Sequence, residues 1–343
     1  MRRPILVRSV VVTATAALLA AGCGGGASTT STKDPKAAFS TGMNGLNDSD
    51  VLTVTLKFDT DADTLVRLSK ESGDELDPAI AKDITSAEIV FETKTTDGKK
   101  LSEIKTGDSK ATASRFSFSD NGTAYAELRS RDDALYLRAD VKGLLGLFNK
   151  SNVYDDLQSR ASSLPAFVKA FVADQWVSVP NTVIKALTSQ FAGSTGASPN
   201  PAQAQKLLAD IKAVIGKDVT VARVGTDDQG DHLRLTAQSR QLLGDFVQAI
   251  GGAIPGASLA LGKFKPEDVP EHSIVVDAWV SDGALAKLSL DIGQFVPDSE
   301  KKPGDTLPIV MTFDRSGDDI AKPDGATPVD LSQLGSLLGG LGA

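Results

Sequence analysis

Residues 124–139 read AYAELRSRDDALYLRA, and they predict a β-hairpin that turns at residues 131–133. A second hairpin precedes it, because the strand predicted over residues 115–119 is followed by Asn-Gly at residues 121–122, the strongest short hairpin signal in the chain. Residues 87–96 predict the strand before that one, and an Asp-Gly turn follows it. Antiparallel β-structure therefore dominates this stretch.

Outward from these hairpins the sequence predicts a mixture of strands and helices. Leu52, Val54, Leu56 and Phe58 alternate with polar residues, which is typical of a half-buried strand. Further strands are predicted over residues 175–180, 219–224, 232–237, 273–280, 284–291 and 309–314. Helices are predicted over residues 35–46, 63–82 with a break near 73–78, 141–148, 153–173 with a break at Pro165, 183–191, 202–215, 240–250 and 331–341.

The first residues of the chain have the pattern of an export signal. Three arginines lie among the first eight residues, and the apolar run over residues 10–21 is shorter than the roughly 20 residues of a spanning helix. The run ends in LLAAGC at residues 18–23, which resembles the lipobox of bacterial lipoproteins. The resemblance implies that residues 1–22 are removed and that Cys23 is acylated with a diacylglycerol. An ordinary secretory signal cut at a nearby Ala or Gly is the alternative.

Composition excludes several kinds of partner. Without the signal the chain keeps 33 basic residues against 44 acidic ones, a net charge of −11. That balance disfavours nucleic acid, which needs a basic footprint, and flat adsorption to anionic lipid. Cys23 is the only cysteine, so its acylation excludes disulfides and thiolate metal sites. Residues 23–36 predict a flexible tether, followed by an α+β domain over residues 37–343.

One pattern recurs at a constant offset of 98 residues. Seven positions match without a gap. The first copy has Asp133, Leu135, Leu137, Leu144, Leu145, Gly146 and Phe148, and the second copy has, in the same order, Asp231, Leu233, Leu235, Leu242, Leu243, Gly244 and Phe246. The match indicates two copies of one hairpin-helix plan, in one continuous sheet or in two similar lobes that meet near residues 192–201. Chance similarity between Leu-rich hairpin-helix units is the alternative.

Three segments carry a resemblance to a known family. They resemble segments of the mycobacterial LppX/LprG-type lipoproteins, which are relatives of the LolA-like carriers. The segments are DDALYLRAD at residues 132–140, DQWVSVP at 174–180 and HSIVVDAWVSDGALAKLSLDI at 272–292. The likeness covers residues 52–180 and 219–292. It implies an α+β fold in which helices pack on the concave face of a strongly curved antiparallel sheet, a half-barrel. It also implies an apolar cavity that holds the acyl chains of a lipid or lipoglycan.

A cavity of that kind takes its wall from inward strand positions and from the helices that face them. The candidate wall residues are Val54, Leu56, Phe58, Phe91, Tyr136, Leu144, Leu145, Phe148, Phe167, Phe171 and Trp176. Trp176 and Trp279 each lie in a predicted strand before a polar turn. Core packing is therefore the alternative to a place at the mouth of the cavity.

The sequence contains no clear catalytic or metal-binding pattern. His232 and His272 lack a second His or Cys at ligand spacing, and there is neither a Gly-x-Ser-x-Gly elbow nor a phosphate-binding Gly-Lys-Ser/Thr loop. Residues 59–63 (DTDAD) resemble the opening of a calcium loop, but Thr64 and Lys70 stand where Gly and Glu are needed. An acidic turn that ends a strand explains them better. We therefore expect no enzyme activity, no cofactor and no metal.

Two functions remain open at this point. The first is a membrane-anchored, extracytoplasmic lipoprotein that binds or carries a lipid or another apolar ligand without catalysis. Each methylene buried in such a site contributes about 0.8 kcal/mol. The second is an anchored protein-interaction or sensor module that has a filled core and works through its acidic surface. The sequence identifies neither the ligand nor a protein partner.

Overall fold

The computed structural model describes residues 34–71, 75–104, 110–147, 150–160, 163–183, 213–253, 271–295, 302 and 305–330. The predicted signal, Cys23 and nearly all of the tether lie outside these residues. So do the predicted junction at residues 192–201, the predicted helix at 331–341 and most of the predicted helices at 183–191 and 202–215.

The described residues contain seven α-helices, further helical stretches at residues 181–183 and 213–218, short 3-10 turns, and twelve strands. The helices are α1 Pro35–Gly45, α2 Ala62–Glu71, α3 Pro78–Ser86, α4 Val141–Leu147, α5 Ser151–Ser159, α6 Ala166–Val172 and α7 Ser239–Ala253. The first six strands are β1 Val51–Phe58, β2 Ala87–Thr95, β3 Thr112–Asp120, β4 Thr123–Arg131, β5 Ala134–Ala139 and β6 Val177–Pro180. The other six are β7 Thr220–Asp227, β8 Gly230–Gln238, β9 Ser273–Ser281, β10 Ala284–Asp291, β11 Pro308–Asp314 and β12 Thr327–Pro328.

The chain divides into two compact units, each built from two separated stretches of sequence. The first unit comprises residues 1–49 and 191–286, and the second unit comprises residues 50–190 and 287–343. In the second unit the strands follow the order β12-β6-β5-β4-β3-β2-β1-β11-β10, and in the first unit the order is β10-β9-β8-β7. Strand β10 is named in both because the boundary after residue 286 falls within it. The β12–β6 pair is parallel, whereas β1–β2 and β3–β4 are examples of the antiparallel pairs. The predicted α+β class with an open, mostly antiparallel sheet is confirmed.

Two tight turns set the register of the central strands of the second unit. Asn121 and Gly122 join β3 to β4 with φ values of 47° and 77°. Asp132 and Asp133 join β4 to β5 with φ values of 53° and 59°. Positive φ at both central residues is the geometry of a type I′ turn, whose twist matches that of the flanking strands. The hairpins predicted at these positions therefore form as expected.

Helix boundaries in the second unit follow local capping chemistry. The predicted helix over residues 63–82 is divided into α2 and α3, and Pro78 stands at the start of α3. The side chain of Asp77 accepts a hydrogen bond from Ala79 N at 2.8 Å, which caps α3. The helix predicted over residues 153–173 is likewise divided, because Pro165 stands immediately before α6.

The described part of the first unit has a packed apolar interior. Leu233 on β8 pairs with Ala278 on β9, and both are fully buried. Helix α1 packs on β7 and β9, and it approaches so closely that a β-carbon at Gly42 would lie 2.9 Å from Val280 Cγ2. Glycine is therefore needed at this contact.

The hairpin-helix plan suggested by the sequence echo occurs in both units. In the second unit β4 and β5 are followed by α4, and in the first unit β7 and β8 are followed by α7. Phe148 and the side chains of Leu243 and Phe246 lie outside the described part of the chain. An internal duplication stays a prediction.

Candidate ligand-binding face

Cross-strand pairing aligns six apolar side chains in one row across the second unit. The row consists of Val54, Phe91, Phe116, Leu128, Leu137 and Val177, on β1 to β6 in that order, and Phe313 on β11 continues it beyond Val54. Directly paired residues on neighbouring strands project from the same side of a sheet, so all six share one face, which we call the apolar face. Five strand spacings of about 4.8 Å give the row a length of about 24 Å.

A second row runs beside the first on the same face. It consists of Leu56, Ile89, Phe118, Ala126 and Ala139. Phe58 extends the face along β1, where it lies opposite Ile309 on β11. The apolar face is therefore two to three side chains deep, and it spans β1 to β6 together with β11.

Between β1 and β6 the first row is buried at Val54 and at Val177, whereas the part between them is open. Val54 and Val177 are each 4% exposed, but Phe91 is 45% exposed. The ring of Phe116 lies next to that of Phe91, with centroids 4.9 Å apart and planes tilted by 58°. Phe116, Leu128 and Leu137 are only half-buried. Phe91 and its half-buried neighbours therefore make the middle of the row a candidate site for an apolar ligand.

Helix α6 covers the end of the row at β6. Phe167 and Ala170 on α6 form a buried cluster with Val177, and Phe171 packs against that cluster. Helix α4 packs on β4, and Leu144 and Leu145 on this helix are half-buried. Apolar helical side chains therefore lie at one end of the row.

The opposite face of β2 to β5 carries charged side chains. We call it the polar face and define it by Glu92, Arg115, Glu127, Arg129 and Arg138. Arg115 Nη2 lies 2.6 Å from Glu92 Oε2, and Arg129 Nε donates a hydrogen bond of 2.7 Å to Glu127 Oε1. The Glu92 side chain is only 1% exposed, so Arg115 compensates a buried charge.

Residues 315–326 run over the polar face on their way from β11 to β12. Strand side chains hold this segment by donating hydrogen bonds to its carbonyl oxygens. Thr53 donates to Ser316 at 3.1 Å and Lys94 donates to Gly317 at 3.4 Å. Arg131 donates to Ile320 and Arg129 donates to Ala321, both at 2.9 Å. Ile320, in the middle of this segment, is only 1% exposed. The polar face is therefore already occupied by the chain itself.

The structure brings part of the predicted wall together. Val54, Leu56, Phe58 and Phe91 lie on the apolar face. Phe167, Phe171, Leu144 and Leu145 lie on the helices described above. Cys23 and Phe148 lie outside the described residues.

Tyr136 does not share the face of the other predicted strand residues. It lies opposite Arg129, whereas the next residue, Leu137, lies opposite Leu128 in the apolar row. Because side chains alternate along a strand, Tyr136 projects from the polar face, where it is 3% exposed. Leu135, Tyr136 and Leu137 form an apolar run, so alternation alone does not reveal which of them faces the ligand side.

Trp176 also lies with the charged side chains. It immediately precedes Val177 of the apolar row, so it points to the other face. The guanidinium groups of Arg129 and Arg138 lie 4.8 and 5.4 Å from the centre of its ring, within the range of cation–π attraction. The expectation that Trp176 lines the same wall as Phe91 is therefore corrected.

The residues that sequence reasoning missed lie in the middle of the row. Phe116 alternates with Arg115 and Ser117 inside a strand that the sequence predicts. This alternation is sufficient to predict that Phe116 lies on the apolar side of the strand. Leu128 and Leu137 lie in the hairpin at residues 124–139. Their face becomes clear once the type I′ turn fixes which residues pair.

A cavity of 680 Å³ lies where β1 ends and β2 begins, next to α2 and α3. Most of its lining is polar or charged, and its two apolar lining residues are Phe58 and Ala87. Asp61 caps α2 at this cavity, accepting hydrogen bonds from Thr64 N at 2.7 Å and Thr64 Oγ1 at 2.8 Å. These bonds lower the pKa of Asp61 below its ordinary value of 3.8. Within the sequence resembling a calcium loop, Asp61 thus has a structural role.

His232 pairs with a carboxylate and stacks on a tryptophan ring. His232 Nε2 lies 3.0 Å from Asp277 Oδ1, and its ring stacks on Trp279 with centroids 4.5 Å apart. Nowhere in the described residues do three or more His, Cys, Asp or Glu side chains gather as metal ligands would. Among the described helices, none combines the length and hydropathy needed to cross a membrane.

Two solved structures are similar to this chain. The structure of LprF from Mycobacterium bovis has a TM-score of 0.34 at 9% identity and covers 85% of this chain and 97% of its own. The structure of the Mycobacterium tuberculosis lipoprotein LppX has a TM-score of 0.30 at 12% identity and covers 83% of this chain and 96% of its own. No protein-family model matches the sequence, and no curated protein does.

Proposed function

We propose that this protein is an extracytoplasmic lipoprotein, anchored to the cell membrane through Cys23, that carries an apolar ligand on the apolar face of its second unit. The ligand class is the acyl chains of a lipid, and no catalytic step is involved. The row from Val54 to Val177 supports this proposal most, because it is buried at these two residues and open at Phe91 between them.

Burial of the open part of the row provides the driving force for binding. Covering a side chain such as Phe91 removes apolar surface from water and contributes about 1.5–3 kcal/mol, and each buried methylene of the ligand adds about 0.8 kcal/mol. The polar face offers no comparable surface, because residues 315–326 cover it and hydrogen-bond to it. The apolar face is therefore the better site for an acyl chain.

Two properties of the sequence support the proposed anchor: the residues 18–23 and the net negative charge of the chain. The acidic chain is repelled by anionic lipid headgroups, so stable membrane attachment calls for a covalent lipid. Production of the full-length protein and of Cys23→Ser in the native host tests this. We expect the unaltered protein in the membrane fraction, with an intact mass that includes a diacylglycerol, and the variant in the soluble fraction. An unaltered protein without added lipid mass would overturn the anchor.

Ligand binding is tested with the purified protein, stripped of lipid, and a fluorescent fatty acid. Replacement of Phe91 by Lys places a charge in the open part of the row, so we expect affinity to fall about 10-fold to 100-fold. Native mass spectrometry of the unaltered protein from its host should in addition show a co-purifying lipid.

Val224→Lys is the matched control. Val224 is an apolar residue of the first unit that is 50% exposed, so both substitutions add one charge at an exposed site. The control variant should bind the probe as the unaltered protein does. Equal binding by Phe91→Lys, together with the absence of any co-purifying lipid, would refute the carrier function and favour an interaction module.

A further inference from the structure

The cavity at the end of β1 and β2 continues the apolar face. Phe58 lies on the same side of β1 as Val54 and Leu56, and it lines the cavity. Ala87, the other apolar lining residue, is on the same side of β2 as Ile89. The apolar face therefore runs directly into the cavity, and a single amphiphilic molecule is able to contact both.

The cavity is a depression open to solvent, and its volume is comparable to that of a small-molecule site. At 680 Å³ it falls within the roughly 300–1,000 Å³ of ligand pockets in proteins. Its polar lining is unsuited to an acyl chain, because burying carboxylates and hydroxyls against hydrocarbon leaves them without hydrogen-bond partners. The cavity thus calls for the polar part of a ligand.

The charges of the lining restrict what that polar part is. Lys57 lies directly opposite Glu88 across β1 and β2, so the ammonium group offsets one carboxylate. Asp59 and Asp61 remain as two further carboxylates in the lining. An anionic headgroup would be repelled here, whereas hydroxyl or amine donors would form charge-assisted hydrogen bonds with the carboxylates.

We propose that this cavity receives the head of the same amphiphile whose chains lie on the apolar face, and that it selects heads that donate hydrogen bonds and carry no net negative charge. This inference rests on the proposed carrier function and adds the ligand's headgroup class. Asp59 and Asp61 act as acceptors for the head, while Phe58 marks the boundary between head and chain.

The test compares two probes that have identical acyl chains and different heads. Dipalmitoylglycerol monoglucoside has an uncharged head with hydroxyl donors, and dipalmitoyl phosphatidylglycerol has an anionic head. Each is titrated into the full-length protein, and the bound lipid is measured by native mass spectrometry, because a fatty acid used as competitor would itself carry an anionic head. We expect the glucoside to bind about 10-fold more tightly, and we expect the preference to shrink to less than about threefold in Asp59→Asn/Asp61→Asn. Asparagine preserves the cap of α2, so this variant keeps its fold.

Asp63→Asn is the matched control, because Asp63 lies on α2 but does not line the cavity. It removes one negative charge nearby and should keep the full preference. Equal affinity of both probes for the unaltered protein, or an unchanged preference in the double variant, would overturn the headgroup inference and leave the carrier function standing. Binding of neither probe would instead refute the carrier function.

Discussion

Gly317 lies directly over the buried carboxylate of Glu92, so closely that a β-carbon at position 317 would overlap Glu92 Oε1. The carboxylate has little room to move, because it is 1% exposed and paired with Arg115. Val51 Cγ2 would lie 3.0 Å from the same β-carbon. Residue 317 is therefore restricted to glycine by the packing of residues 315–326 on the polar face.

Replacement of Gly317 by Ala tests this packing. We expect the free energy of unfolding to fall by about 1–3 kcal/mol, the usual cost of forcing extra volume into a packed site. Urea unfolding measures the change. Gly146→Ala is the control, since nothing lies within 4 Å of a β-carbon at this exposed helical position, and it should be neutral or stabilising by about 0.4–1 kcal/mol. Equal stability of Gly317→Ala and the unaltered protein would contradict the close packing.

A carboxyl pair makes the stability of the first unit depend on pH. Asp218 is 1% exposed, and its Oδ1 accepts a hydrogen bond of 2.8 Å from Gln241, while its Oδ2 has no donor. Burial, followed by the neighbouring Asp245 carboxyl, raises the pKa of Asp218 above 3.8. Hydrogen bonding from Lys217 at 2.7 Å, followed by that from Asp218, lowers the pKa of Asp245. The two pKa values are thus shifted in opposite directions, so Asp218 takes up a proton before Asp245 as the pH falls.

The two carboxyls act on stability in opposite directions. Protonated Asp218 stabilises the fold fully below pH 3.8, and this contribution is lost as the pH rises through its raised pKa. Ionised Asp245 contributes above pH 3.8, and its contribution is lost as the pH falls through its lowered pKa. We expect Asp218→Asn, which keeps a donor toward Asp245, to raise the free energy of unfolding at pH 7 by about 1 kcal/mol. Below pH 3.8 it should change little.

Chemical denaturation at both pH values checks this prediction. Asp245→Asn is the control, because it removes the partner of Lys217 and should not stabilise the protein at pH 7. A variant Asp218→Asn that gains no stability at pH 7 would contradict the raised pKa of Asp218.

The two faces of the second unit should respond differently to substitution. Trp176→Leu removes the ring between Arg129 and Arg138, so we expect a loss of about 1 kcal/mol of stability and unchanged affinity for the fluorescent fatty acid. Phe116→Ala removes a ring from the open row and should lower that affinity about 10-fold or more. Both affinities are measured by titration of the same probe. A larger loss of affinity in Trp176→Leu than in Phe116→Ala would place the ligand on the polar face.

Trp279 controls the titration of Asp227 in the first unit. Its Nε1 donates a hydrogen bond of 2.9 Å to Asp227 Oδ2, and this bond is the main reason that the pKa of Asp227 is lowered from 3.8. We expect Trp279→Phe to raise that pKa toward its ordinary value, as measured by NMR of the side-chain carboxyl carbon. Trp176→Phe is the control and should leave it unchanged. The lowered pKa stabilises the fold above pH 3.8, so the variant should also lose less stability on acidification.

The sequence predicted most strands and hairpins because their signals are short-range. Asn121-Gly122 accepts positive φ at both positions, and this property is independent of the rest of the chain. Prolines 78 and 165 likewise mark helix boundaries through their own missing N–H groups. The wall of the candidate site was predicted only in part, since Tyr136 and Trp176 were grouped with residues of the other face.

Local properties were thus settled by the sequence alone: where strands turn, where helices begin, the acidic charge, and the alternation that makes one side of each strand apolar. Only the tertiary structure decided which apolar residues stand in one row and which part of that row stays open. Cross-strand register places Phe91 beside Phe116, and residues 315–326, distant in sequence, cover the opposite face through contacts such as Arg129 to Ala321. Contacts between such distant residues depend on the whole chain's packing, which no local pattern encodes.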